Sequence, residues 1–259
     1  MQLPKPFRVS LLILVCSLGL YGGTTAAPPS NPCVDATLAS YIAQGSCAVG
    51  DFTFSTFQFA TLLESVSNPN TLIAGPDSIN VGAPATVAEL IKFSSSDFQV
   101  FGDDRIVYLM HYFIDPPPPI LLGYDMELFT ETPVAPGRAQ VTAFFCPGGQ
   151  GTPQLDESGL VGSLQCSVAG GEPFTSPFSI VLFHNGGPTG NVLTGSVNFD
   201  GRFNTLDVWV QLDLDASNGG SSAINGVGGF ADTGVPEPGA PLLIASGLGA
   251  LALLRRCRA

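Results

Sequence analysis

Apolar and polar residues alternate along Leu206–Leu214, where Leu206, Val208, Val210, Leu212 and Leu214 are interleaved with Asp207, Trp209, Gln211 and Asp213. A period of two is the mark of a strand, and one apolar face predicts a strand lining a core on one side only. Arg105–Ile114, RIVYLMHYFI, is apolar on both faces apart from His111 and the tyrosine hydroxyls, which predicts a central strand covered on both sides. Further candidate strands are Ala88–Phe93, Phe98–Phe101, Ile120–Thr130, Ala139–Phe145, Pro177–His184 and Val192–Phe199. Turn formers divide them: Asn68-Pro69-Asn70, Pro116 to Pro119, Pro147-Gly148-Gly149, Asn185-Gly186-Gly187 and Asp200-Gly201. Phe52 and Phe54 alternate, as do Phe57 and Phe59, but the phase slips between the pairs, as in a strand with a bulge. Many short strands separated by Gly and Pro predict a mainly β fold, an antiparallel β-sandwich or jelly roll.

Helical signals lie outside that region. Asp35 is placed to cap a short helix from Ala36 to about Ala43, with Leu38 and Ile42 on one face and Gly45 as its stop. At the N-terminus, Lys5 and Arg8 precede the apolar run Val9–Leu20, and Thr24, Thr25, Ala26 and Ala27 follow. That order is a secretory signal helix with cleavage after Ala26 or Ala27. A lipoprotein signal using Cys16 fits less well, because Cys16 lies inside the apolar run after Val15. The chain therefore divides into a leader (1–27), a helical preamble (28–50), a β-sandwich (51–215), a Gly/Ser/Asn-rich linker with room for one strand near Ile224–Phe230 (216–234), and a tail (235–259).

Charge narrows the partners. Without leader and tail, four basic residues (Lys92, Arg105, Arg138, Arg202) face twenty acidic ones, a formal charge of −16. So acidic a surface repels phosphate backbones and excludes nucleic-acid binding. Four cysteines remain in this region, Cys33, Cys47, Cys146 and Cys166, an even number that points to disulfides in an exported chain. Three connectivities are open, and the local one, Cys33 with Cys47 and Cys146 with Cys166, is the first expectation. The sequence has no CxxC and its histidines are scattered, so no metal or other cofactor is expected.

Catalytic signatures are sparse. The chain has no GxSxG, and its two histidines, His111 and His184, lie in apolar β runs where a packed, hydrogen-bonded imidazole is the commoner occupant. Asp103-Asp104 and Asp156-Glu157 sit in turn-like stretches and read as a solvated loop edge rather than a glycosidase pair. Asp213 and Asp215 suggest a loose calcium site, although Asn218 and Ile224 stand where an EF-hand loop requires Gly and Glu. Trp209, the single tryptophan, falls on the polar face of its strand. Exposed there, it would serve as a sugar platform; the commoner alternative is packing beneath a loop or a second sheet. Pro116 to Pro119 is either a stiff connector or a PxxP ligand, the connector being preferred.

The tail carries the most specific motif. Val235-Pro236-Glu237-Pro238 is followed by the uncharged run Gly239–Leu254 and then by Arg255, Arg256 and Arg258. A short polar motif, an apolar transmembrane helix and a basic stop in this order resemble the PEP-CTERM sorting signal of Gram-negative bacteria. The resemblance covers the final tenth of the chain. The opening block, Cys33, short helix, Gly45, Cys47 and Gly-Asp-Phe-x-Phe, is also similar to one that recurs in secreted proteins of that family. It implies export by the Sec machinery, membrane arrest by the tail helix, and processing at the motif by an exosortase. An exported, non-catalytic surface or matrix protein associated with extracellular polysaccharide is the function it suggests. A carbohydrate- or calcium-binding sandwich module is the alternative.

Overall fold

The computed structural model describes residues 31–49, 52–82, 91–115, 121–129, 137–168, 170–186, 190–217 and 219–233. The leader, the Pro116–Pro119 run and the tail motif, helix and arginines lie outside these residues. Among the described residues no helix is long and apolar enough to cross a membrane.

Period-two alternation produces two six-stranded sheets packed face to face. Chain order runs β1 (Ala36–Thr37), α1 (Leu38–Gln44), β2 (Ser46–Val49), β3 (Phe52–Ser65), β4 (Asn80–Gly82), β5 (Ile91–Ser94), β6 (Gln99–Phe101), β7 (Arg105–Asp115), β8 (Leu121–Phe129) and β9 (Arg138–Pro147). It continues through β10 (Gln150–Leu155), β11 (Val161–Ser167), β12 (Phe174–Thr175), β13 (Ser179–His184), β14 (Thr194–Phe203), β15 (Leu206–Asp215), β16 (Ser221–Ala223) and β17 (Gly226–Thr233). The first sheet has the order β13-β9-β15-β7-β3-β2 and the second β1-β4-β5-β17-β8-β14; every pairing within them is antiparallel. A small sheet, β10-β11-β12, and the pair β16-β6 complete the fold.

The core lies between the two large sheets. Tyr108, Met110 and Tyr112 of β7 and Val208, Val210 and Leu212 of β15 meet Tyr124, Met126 and Leu128 of β8, all buried. The Tyr112 and Tyr124 hydroxyls hydrogen-bond to each other across the sheets, so neither is left unpaired in the interior. Burial pushes both phenols well above their ordinary pKa.

The central position of Arg105–Asp115 is as its two apolar faces require: it lies between β15 and β3. The bulge read from the phenylalanines is present. The register of β3 on β7 shifts between Ser55 and Gln58, with Thr56 in the left-handed region at φ 57°. Phe52, Phe54 and Phe57 are thereby all buried on one face.

Several expectations need correction. The helix begins at Leu38, not Ala36, and its cap is Thr37, whose hydroxyl accepts from the Ser40 N–H at 3.3 Å; Asp35 does not cap it. Ala36 and Thr37 are instead drawn into a strand against Val81 and Asn80. Leu38 and Tyr41 are the buried helix residues, while Ile42 is exposed. The preamble is not a separate unit, because β2 pairs with β3. Asp200-Gly201 is not a turn: both lie within β14, where the register on β8 shifts between Asn198 and Phe203. Within 216–234 the one strand allowed for near Ile224–Phe230 is present as β17, but it is built into the second sheet instead of a linker, pairing with β5 on one side and β8 on the other with Val227 buried. Its Gly content reflects close packing: a Cβ on Gly229 would come within 2.3 Å of the Tyr124 hydroxyl.

The expectation of a single covered face on β15 also fails. Asp207, Gln211 and Asp213 are buried along with the apolar set. The sheet β10-β11-β12, absent from the sequence reading, packs over that outer face and makes the fold locally three layers deep.

Candidate functional site

Two places gather polar chemistry, and the first is the interface beneath the small sheet. His111 of β7 and Asp207 of β15 project from the outer face of the first sheet. His111 Nε2 lies 2.5 Å from Asp207 Oδ1, and Asp207 Oδ2 accepts the Gly151 N–H at 2.7 Å. Four residues further along β15, Gln211 Oε1 accepts the Val161 N–H at 2.7 Å. These side chains hold β10 and β11 onto β15 by satisfying backbone donors that the small sheet leaves unpaired. The polar positions of β15 therefore act as anchors for the covering layer.

Trp209 belongs to the same layer. Its ring stacks on His111 with centroids 4.0 Å apart and packs against the small cluster of Leu109, Phe144, Val161 and Leu164. The indole N–H and His111 Nδ1 are buried without hydrogen-bond partners among the described residues. The tryptophan is thus packed beneath a second sheet and is not a sugar platform. His111 is only 5% exposed, and so cannot meet a substrate as a general base. His184 is also buried, with its Nδ1 accepting the Gly186 N–H at 3.0 Å.

The cysteines are paired Cys33–Cys47 and Cys146–Cys166, with Cα–Cα separations of 4.9 and 5.7 Å. The first bond ties residues ahead of the helix to β2. The second ties β9 to β11 and so joins the covering sheet to the sandwich. Two disulfides are the chemistry of an oxidising compartment.

The carboxylate pairs separate into different roles. Asp104 is 1% exposed and not on a solvated loop edge. Its Oδ1 accepts the Ser67 N–H at 2.7 Å and the Ser67 hydroxyl at 2.9 Å, and its carboxylate also accepts from the Asn68 N–H and Thr71. Burial pushes its pKa up, but these donors together outweigh burial and hold it below the ordinary value. Asp156 organises an exposed turn, with the Ser158 hydroxyl and Ser158 and Leu160 N–H groups on one oxygen holding its pKa below the ordinary range. Asp213 receives Arg105 bidentately at 3.0 and 2.8 Å, and Asp215 accepts the Ser217 N–H at 2.8 Å. A guanidinium therefore occupies the position the loose calcium reading required. Among the described residues no group of three or more metal-ligating side chains is assembled.

The second place is the outer face of the other large sheet, which the sequence reading missed. Tyr124, Met126 and Leu128 point to the core, so Asp125, Glu127 and Phe129 point away. Register sets their neighbours: Ser196, Asp125 and Phe230 form one row across β14, β8 and β17. Thr194, Glu127, Gly228 and Lys92 form the next. A shallow groove of ≈ 430 Å³ is lined by Asp125, Glu127, Thr194, Ser196 and Phe230, with Met126 and Gly195 at its floor. Asp232 flanks it on β17, and Lys92 Nζ lies 4.2 Å from the centroid of the Phe129 ring. Burial, and then the nearby Asp232 charge, raise the Asp125 pKa. The alternation in Leu121–Phe129 carried the signal for this face, but only strand order brings Phe230 beside Asp125.

No family model matches the sequence, and no curated protein matches it. Among solved structures, TmCBM61 in complex with β-1,4-galactotriose is similar at 11% identity, covering 74% of this chain and 94% of that one, with a TM-score of 0.29. A likeness of that degree carries no argument about topology or ligand.

Proposed function

We propose that this chain is an exported, non-catalytic protein of the cell surface or extracellular matrix, carried out by its leader and sorted through its tail. The supporting observation is that its chemically capable side chains are committed to structure. His111 and Asp207 hold the covering sheet, and Asp213 is neutralised by Arg105. In this reading Arg255, Arg256 and Arg258 resist transfer at a cost of about 3 kcal/mol each at the bilayer centre. The apolar run then arrests in the membrane, leaving Pro236-Glu237-Pro238 outside it. Prolines on both sides of Glu237 keep the motif extended for an exosortase-type enzyme. Residue 234 alone separates the end of β17 from Val235, so the enzyme works close against the folded domain. Replacing Pro236-Glu237-Pro238 with alanines should leave full-length protein in the membrane fraction of a host that has the enzyme. Wild-type protein recovered from that host with Arg258 still attached, by intact mass, refutes the sorting reading.

A glycan-binding module is the second reading, favoured by the groove around Phe230. Its half-buried ring is flanked by carboxylates and hydroxyls, the composition expected where a sugar ring stacks while its hydroxyls are hydrogen-bonded. Retention of the exported protein on immobilised extracellular polysaccharide, lost in Phe230→Ala, is the expected result. Equal retention of the variant refutes this second reading.

A further inference from the structure

We infer that the groove centred on Phe230 takes an amino-sugar oligosaccharide whose ammonium groups sit among Asp125, Glu127 and Asp232. The inference rests on the glycan reading above and adds the class of sugar. Strand register places Phe230 beside Asp125 in one row, with Glu127 one row away and Asp232 further along β17. All four lie on the face opposite the core, where no described element packs over them. Phe230 offers an apolar surface for the carbon–hydrogen face of a pyranose ring. Ser196 and Thr194, both exposed on β14, offer hydroxyls that either donate or accept.

Charge decides between sugar classes. Three carboxylates around one ring repel uronic-acid polymers and favour a ligand that brings positive charge. Lys92 is a cation on this face, and its ammonium is engaged with Phe129 across Gly228, which carries no side chain of its own. The raised Asp125 pKa fits the same picture: burial and Asp232 disfavour its charge in the free protein, and an arriving ammonium relieves that cost. A basic peptide would satisfy the charge but makes little use of a ring flanked by hydroxyls.

Binding of the exported protein to short glucosamine oligomers, their N-acetylated counterparts, neutral glucan oligomers and a lysine oligomer of equal charge tests this. Glucosamine oligomers should bind best, with binding weakened by salt and lost as pH falls through the carboxylate range. The pair Asp125→Asn and Glu127→Gln should weaken binding about tenfold, and Phe230→Leu, which keeps apolar bulk but removes the ring, by a similar factor. Glu157→Gln and Glu172→Gln, exposed acids on the small-sheet side of the chain, should leave it unchanged. Equal binding of neutral or N-acetylated oligomers through Phe230 overturns the amino-sugar inference while the glycan reading stands. Equal binding of the lysine oligomer, or equal weakening by the control substitutions, overturns it because only net charge is then being read. Binding of none of the sugars removes both.

Discussion

Removing the Asp104 carboxylate should destabilise the sandwich by about 3 kcal/mol at neutral pH. Asp104→Ala strands two backbone donors, the N–H groups of Ser67 and Asn68, together with the Ser67 hydroxyl, in a site that is 1% exposed. A buried donor left without a partner costs about 1–3 kcal/mol. Partial hydration after local relaxation brings the sum of two or three such losses to about 3 kcal/mol, or about 6–12 °C in Tm for a domain of this size. Asp104→Asn keeps the shape and one acceptor, so it should cost less, about 1–2 kcal/mol. The pH dependence separates charge from packing. The folded-state pKa of Asp104 lies below its unfolded value, so its contribution is fully present above the unfolded pKa. It is lost as pH falls through the folded pKa. The stability difference between wild type and Asp104→Asn should therefore narrow as pH falls below the ordinary carboxylate range. Urea denaturation of both proteins over that fall in pH measures it. A loss under 0.5 kcal/mol for Asp104→Ala, or a difference between wild type and Asp104→Asn that stays constant with pH, would refute the argument that these donors hold a charged, buried carboxylate.

The covering sheet yields two further outcomes. Gln211→Ala leaves the Val161 N–H unpaired and should cost about 1–2 kcal/mol; amide exchange should accelerate in β11 before it does in β7 or β8, and uniform acceleration would contradict an anchoring role. Replacing Cys146 and Cys166 together with alanine should cost about 3 kcal/mol by releasing the constraint on the unfolded chain. Exchange in β10 and β11 should rise while β17 stays protected; loss of protection throughout would mean that the small sheet is not a separable layer.

Local pattern alone determined the strands whose alternation is strict. Leu206–Leu214 is a strand because side chains on a pleated backbone point alternately to opposite faces, and its sequence obeys that period over nine residues, whereas Arg105–Ile114 was legible as an unbroken apolar run, the pattern of a strand covered on both faces. The Phe52–Phe59 slip was legible for the same reason, since one extra residue must change the phase. The motif, uncharged run and arginines of the tail are read from order and composition alone, and they carry the sorting proposal. What β15 does with its polar face was not legible. Asp207 and Gln211 look solvated in sequence, and only the covering sheet makes them acceptors for Gly151 and Val161. The strands of that sheet are short and include Gly151, Pro153, Gly162 and several polar residues, so their local pattern was too weak to announce them. The Gly-rich stretch before the tail likewise read as linker because glycine suits a flexible chain. In the fold the same glycines let β17 pass close to Tyr124 and Phe93. The groove follows from that insertion. Asp125 and Phe230 are distant along the chain and meet because β17, last in order, pairs beside β8. Periodicity sets which way a side chain points, but neighbours across a sheet depend on strand order, which long-range backbone pairing alone decides.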